Sequence, residues 1–271
     1  ITARLKSQRL KRKILLNIDQ DTILDKVILR CKAASNVDTV VLCTSNNPQD
    51  AELECIAQKH NIAFFRGHED DVLQRLLDAA TNENIDRFLS ITADNPFHSI
   101  SAANQIIEYD NTNQFDFIFT QNLPIGMSPY FIRTDALKVA VFMKQQTDTE
   151  IWGPFVNQPN FFKIGIINVL NNTLPTGLRI TCDYPEDYTF IKALYQNLNC
   201  EFPDLQHIAH LFELKKDIFT LNSGITQRMP DKETMDAINQ TFTANILKGL
   251  EFASKHHIKL NPGMHLTEIA I

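Results

Sequence analysis

The chain alternates short apolar runs with segments of helical spacing, and few folds satisfy that rhythm. Thr39-Val40-Val41-Leu42-Cys43-Thr44 is dominated by β-branched residues and predicts a buried strand, which Asn46-Asn47-Pro48 ends. Apolar Ala51, Leu53, Ile56 and Ala57 then give helical spacing over Gln49 to His60. Ile62-Ala63-Phe64-Phe65 predicts a strand, and Asp71 to Ala80 a helix capped by Asp70 or Asp71. Arg87 to Thr92 reads as a strand, Ser101 to Tyr109 as a helix and Phe115 to Thr120 as a strand. The expected class is therefore α/β, a mostly parallel sheet with helices on both faces.

After about Gln121 the rhythm changes. Pro124, Gly126 and Pro129 precede a helix expected from Thr134 to about Gln146. Trp152 to Leu170 reads as an irregular insertion with short strands. Gly177 to Thr181 reads as a late strand. Pro185 to Leu198 reads as a helix with proline in its first turn, where the missing N–H costs little. Beyond Cys200 the chain is polar and helix-rich, a helical C-terminal extension over 201–271.

Charge points to the ligand. The protein is acidic, with a formal net charge of -6, yet residues 1–13 hold Arg4, Lys6, Arg9, Lys11, Arg12 and Lys13 and no acid. A local cationic stretch in an anionic chain implies an anionic partner. Its place after a short apolar start suggests a loop at the end of a buried strand, with the chain entering partway through that strand. Loops at the carboxyl ends of parallel strands are where open α/β sheets bind ligands. Asp94 and Asp183 follow two further expected strands, so one sheet edge would carry a cationic loop and two acids. That combination suits a phosphate substrate with Mg²⁺. An aspartate after a strand also serves as an ordinary turn former.

These blocks resemble the cytidylyltransferases that make CMP-activated sugars, most of all the CMP-Kdo synthetase and spore-coat-polysaccharide group. The family's A-R-x-x-S-x-R-L-P-x-K is matched at Ala3, Arg4, Ser7, Arg9, Leu10 and Lys13. Thr44-Ser45-Asn46-Asn47-Pro48-Gln49-Asp50 is similar to T-x-N-P-x-D with one extra residue. Phe65-Arg66-Gly67 through Asp71-Val72-Leu73-Gln74-Arg75 matches F-R-G-x-x-x-D-V-L-x-R. Ile91-Thr92-Ala93-Asp94-Asn95-Pro96-Phe97 is similar to I-T-G-D-x-P-L, and Arg179 to Asp187 matches R-x-T-x-D-x-P-E-D. The blocks fall in family order across residues 1 to 200.

The resemblance implies a Rossmann-like fold of the nucleotide-diphospho-sugar transferase type. It makes 1–200 a nucleotidyltransferase domain, with 121–172 an acceptor-binding and dimerisation insertion. It implies transfer of CMP from CTP to a sugar or sugar acid, with release of pyrophosphate, for surface polysaccharide synthesis. Arg4, Lys13 and Asp94 would be catalytic. Ala3, Arg4, Ser7, Arg9, Lys13, Thr44, Arg75 and Thr92 would bind nucleotide, and Asp94 and Asp183 would hold Mg²⁺. Arg133, the only arginine in the poorly matching middle region, and Glu150 are candidates for the acceptor. A homodimer is expected. The resemblance departs at Lys11 for proline, Ala93 for glycine and Phe97 for an aliphatic residue. Those departures leave open a non-catalytic nucleotide-binding homologue. A nucleotidyltransferase acting on a sugar-phosphate or polyol-phosphate is a further alternative.

Composition narrows the setting. No run reaches the ~18 apolar residues of a membrane span, and there is no signal-peptide pattern, so no membrane association is expected. The five cysteines form no CxxC pair and are expected as core thiols in a reducing cytoplasm. The sequence pI of about 5.7 argues against nucleic acid. Trp152 is expected in core or dimer packing, Phe161-Phe162 in the core, and His256-His257 at a solvated helix end.

Overall fold

Ile1 to Ala3 run inside the sheet. In the computed structural model, which describes residues 1–170 and 173–270, Thr2 bridges in parallel to Cys43 on one side and Thr92 on the other. Thr2 N–H donates to the carbonyl of Ile91 at 2.9 Å, and Ala3 N–H to that of Cys43 at 3.0 Å. A two-stranded flap, β1 (Asn17–Ile18) and β2 (Asp21–Thr22), leads into α1 (Ile23–Ala33). Thr22 and Asp25 cap α1 reciprocally. Strand β3 (Val41–Ser45), α2 (Leu53–His60) and β4 (Ala63–Gly67) form a βαβ unit in which β3 and β4 pair in parallel. Then come α3 (Val72–Asn82), β5 (Arg87–Ser90), α4 (Ile100–Asn113) and β6 (Phe117–Gln121). Asp71 caps α3 by accepting from Gln74 N–H. The chain continues as β7 (Tyr130–Arg133), α5 (Thr134–Met143), α6 (Gly153–Val156) and β8 (Lys163–Val169). It ends with α7 (Pro185–Asn197), α8 (Leu205–Leu214), α9 (Lys232–Lys255) and β9 (Gly263–Ile269).

The larger sheet has the order β5-β7-β6-β8-β9. Strand β7 pairs antiparallel with β5 and β6, while β6, β8 and β9 are mutually parallel. Successive side chains of a strand face opposite ways, and two cores result. Phe117, Ile164 and Ile166 point into one core with α3, α5 and α9. Ile118, Ile167 and Val169 point into the other with α4, α7 and α8. Helices therefore cover both faces, as expected. A third cluster joins Ala3, Leu5, Ile14 and Ala93 to α1, α2 and β3.

The structure differs from expectation at several places, three of them beyond residue 150. Trp152 to Leu170 is not merely irregular: Lys163–Val169 is a seven-residue strand paired on both sides. Gly177 to Thr181 is not a sheet strand. It meets Ile125 through a single bridge at Arg179, flanked by hydrogen bonds from Ile125 N–H to Leu178 O (2.8 Å) and from Ile180 N–H to Ile125 O (2.7 Å). The C-terminal extension is helical as far as Lys255 but closes with β9, which adds an edge to the sheet.

The tail is woven into the protein. Phe242 of α9 packs edge-to-face on Phe161 and Phe162, at 5.3 and 5.9 Å between centroids. Trp152 is buried edge-on to Tyr130 at 5.4 Å, the core role expected for it. Phe131, Phe155, Phe161 and Phe162 are also buried. Among the described residues of the 121–172 insertion, the exposed large apolar side chains are Tyr130, Phe142, Ile151 and Leu170. Among the described residues no helix is long and apolar enough to cross a membrane.

Candidate active site

Three extended segments end on the same side of the sheet: Ile1–Ala3, β3, and β5 with its continuation to Ala93. The basic loop starts there and is pinned at two apolar points, Leu5 and Ile14, each under 5% exposed. Asp50 accepts from Leu5 N–H at 2.8 Å and is itself hydrogen-bonded by Ser45. At the far end Arg12 takes the left-handed conformation (φ 53) at the start of a single 3₁₀ turn, Lys13–Leu15. Both Arg12 Nη atoms grip Glu52 at 2.6 Å. This turn sends Lys13 inwards while Lys11 stays exposed.

Lys13 Nζ donates to Asp94 Oδ2 at 2.5 Å and to Asp183 Oδ1 at 2.7 Å. Two acids 89 positions apart in the sequence thus share one ammonium, as their expected convergence requires. Asp94 lies in a turn that Asn95 Nδ2 closes onto Thr92 Oγ1 at 2.6 Å, and Cys182 N–H donates to the Asp94 carbonyl at 2.9 Å. Arg9 Nη2 also donates to Asp183 Oδ1, at 2.6 Å, and its guanidinium lies 5.1 Å from the centre of the Tyr184 ring.

The other oxygen of Asp183 belongs to a buried network. Arg179 Nη2 donates to Asp183 Oδ2 at 3.2 Å and to Asp187 Oδ2 at 3.0 Å. Asp187 is fully buried and accepts from the N–H groups of Asp183 and Tyr184, capping α7. Burial pushes the Asp183 carboxyl up, but Lys13, Arg9 and Arg179 outweigh it and hold the group below its ordinary pKa. Burial likewise pulls Lys13 down, and Asp94 and Asp183 more than reverse it. Both groups are therefore charged at neutral pH.

The remaining expected residues divide. Ser7 accepts from Leu10 N–H at 3.4 Å and shapes the loop. Arg4 pairs with Glu150, which brings that expected acceptor residue to the rim of the cationic loop. Thr44 is buried and donates to the Ala3 carbonyl at 2.7 Å, joining β3 to the first segment. Arg75 is 2% exposed and donates to the carbonyls of His68 (2.6 Å) and Glu69 (2.9 Å). The hydrogen bonds of those two residues run to backbone carbonyls beside the site.

Arg133, the other expected acceptor residue, is not part of the cluster. It pairs with Arg87, the first residue of β5, whereas Asp94 follows the last, so it lies at the opposite end of the sheet. Its guanidinium is held by Asp116 and the Lys259 carbonyl. The departures at Ala93 and Phe97 are core positions: Ala93 is 2% exposed, and Phe97 is buried at 4.4 Å from Tyr195. Sequence reasoning passed over Asp187 as a functional group, although it stands in the motif. It missed Asn222 and Gln227 altogether, whose surroundings look like an ordinary polar turn.

Asp94 and Asp183 present hard carboxylate oxygens converging where a cation already sits. Mg²⁺ needs only one or two carboxylates and keeps its other positions for water and phosphate oxygens, so the donor set fits it. Among the described residues no larger group of metal-ligating side chains forms.

A parallel-stranded α/β sheet with a cationic loop facing two acids is the layout of a polyphosphate-handling protein. Residues 1–202 match the cytidylyltransferase family, and the chain belongs to it. It is 29% identical to the uncharacterised protein MJ1063 of Methanocaldococcus jannaschii, over 84% of this chain and 95% of that one. It is 26% identical to the spore coat polysaccharide biosynthesis protein SpsF of Bacillus subtilis, over 76% and 88%. Among solved structures, a cytidylyltransferase of Leptospira borgpetersenii superposes with a TM-score of 0.72 at 24% identity, covering 84% of this chain and 97% of that one. CMP:2-keto-3-deoxy-manno-octonic acid synthetase complexed with CTP gives 0.58 at 14% identity, over 72% and 96%. These two structural likenesses concern the fold.

Proposed function

We propose that the protein transfers CMP from CTP to a hydroxyl of a sugar or sugar acid, releasing pyrophosphate, for surface polysaccharide synthesis. The observation that carries this reading is Lys13 held between Asp94 and Asp183 at the end of a loop whose Arg4 and Arg9 also pair with acids. Asp94 and Asp183 would hold Mg²⁺, which supplies charge neutralisation at the phosphates. Lys13, Arg9 and Arg4 exchange their carboxylate partners for triphosphate oxygens and stabilise the charge that gathers on departing pyrophosphate. Ser7 and the loop backbone shape the cradle. The acceptor hydroxyl attacks the α-phosphate in line, so these residues act by position and charge, with no covalent enzyme intermediate.

Glu150, at the rim beside Arg4, is the side chain that reads acceptor hydroxyls in this proposal. The five cysteines are free thiols, which supports a reducing, cytoplasmic setting. A homodimer belongs to the reading through exposed Phe142, Ile151 and Leu170, and light scattering at micromolar concentration tests it. The test of function is pyrophosphate release with Mg²⁺ over four nucleoside triphosphates, each offered neutral sugars, sugar acids and sugar phosphates. Turnover with CTP and a sugar or sugar acid is expected. CTP binding without turnover would favour the non-catalytic homologue, and turnover only with a phosphorylated acceptor would reassign the substrate.

A further inference from the structure

The family match ends at residue 202, yet the chain beyond it reaches the acid network of the site. Asn222 follows the short 3₁₀ turn Ile218–Thr220 and is only 4% exposed. Its Nδ2 donates to Asp187 Oδ1 at 2.9 Å and to the carbonyl of Arg179 at 3.1 Å. Five residues on, the Gln227 side-chain carbonyl accepts from Arg179 Nη1.

We propose that Asn222, assisted by Gln227, is a positioning residue for Asp183, acting through Asp187 and Arg179. The chain of contacts is short. Asp187 has both oxygens committed: Oδ1 to Asn222, and Oδ2 to the N–H groups of Asp183 and Tyr184 and to Arg179. Arg179 then fixes Asp183 Oδ2, which leaves Oδ1 facing Lys13 and Arg9. Among the described residues Asn222 is the neutral side chain that donates to Asp187, and its two hydrogens suit two acceptors from two different segments. Leaving a buried carboxylate short of a donor is costly, so the loss of Asn222 propagates to the backbone that carries Asp183. The C-terminal segment is thereby part of the site's support and not an appendage to it.

This inference rests on the nucleotidyl-transfer reading for the role of Asp183, and its test separates the two. The full-length chain is compared with Asn222→Ala and with Gln227→Ala, the latter at a half-exposed side chain that carries little folding risk. One measurement is amide hydrogen exchange of the ligand-free protein over residues 183–187. The other is Mn²⁺ binding in the presence of CTP, followed by electron paramagnetic resonance. Faster exchange at Asp183 and Tyr184 and an approximately tenfold weaker Mn²⁺ affinity in Asn222→Ala are expected, with a smaller change in the same direction in Gln227→Ala. A merely structural role lowers the number of Mn²⁺ sites through unfolded protein and leaves the affinity as it was; that result overturns the proposal. If the wild type itself binds no Mn²⁺ with CTP, the metal-nucleotide reading falls. Exchange alone then decides: faster in both variants supports the positioning role, unchanged removes it.

Discussion

Lys13 is the residue on which most of the site's charge turns. Among the described residues it is the only cation that touches both Asp94 and Asp183, and its side chain is mostly buried between them. Lys13→Ala removes an ammonium aimed at the developing charge and leaves two acids facing each other. A fall of about 100- to 1,000-fold in kcat for pyrophosphate release is expected, and unchanged kinetics would remove Lys13 from the chemistry. A second residue governs acid sensitivity. His98 is 2% exposed, with its Nε2 3.6 Å from Cys31 Sγ; burial, and then the Arg30 guanidinium, pulls its pKa from 6.5 to about 3. The folded chain keeps His98 neutral where the unfolded chain protonates it. Its contribution is thus intact above pH 6.5 and is lost as the pH falls towards 3. At pH 5.5 the loss is about 1.4 kcal/mol relative to pH 7.5. Urea unfolding at both values should show it, and His98→Asn should flatten it. Lys13, Asp94 and Asp183 were legible because short motifs carry them. Asn222 was not, because its partners are 35 and 43 positions away and nothing local marks it.

Among the elements, the segment 178–183 decides whether the acids meet. It is no sheet strand and is held chiefly by the turn Pro124–Met127. Gly126 has φ +95, and a Cβ there would lie 2.8 Å from both Ile180 O and Thr181 N. Gly126→Ala is therefore expected to cost about 1–3 kcal/mol through backbone strain alone, and also to lower turnover by displacing Asp183. Denaturant midpoint and pyrophosphate release measure the two effects. Strands β3, β4, β5 and β6 were readable because their β-branched and aromatic runs stand between clear breakers. Strand β7 is only four residues long and follows Pro129, and β9 carries Met264, His265 and Leu266 exposed, so neither shows clean alternation. Each exists because a neighbouring strand pairs with it, and tertiary context of that kind outweighs local propensity.

At the scale of the molecule, residues 201–271 share a core with the rest. Phe242 is 4% exposed against Phe161 and Phe162, and β9 extends β8 through seven paired residues. Phe242→Ala is expected to cost about 3–5 kcal/mol. Urea unfolding of the wild type should follow one transition by both fluorescence and circular dichroism; two separated transitions would make the tail an independent unit.

The pairing of Lys13 with Asp183 has a consequence in time. The two are 170 positions apart, and Asn222 lies farther still along the chain. A ribosome adding roughly 5–20 residues per second takes on the order of ten seconds or more to deliver the second half of a site after its first half. Until then the cationic loop has no Asp183 to neutralise it, and a nascent chain in that condition carries an open basic segment among abundant cellular polyanions. Contacts of such long range also close slowly in refolding. Helical signal should therefore return before the capacity to bind nucleotide, and the lag between them measures how late this site is assembled.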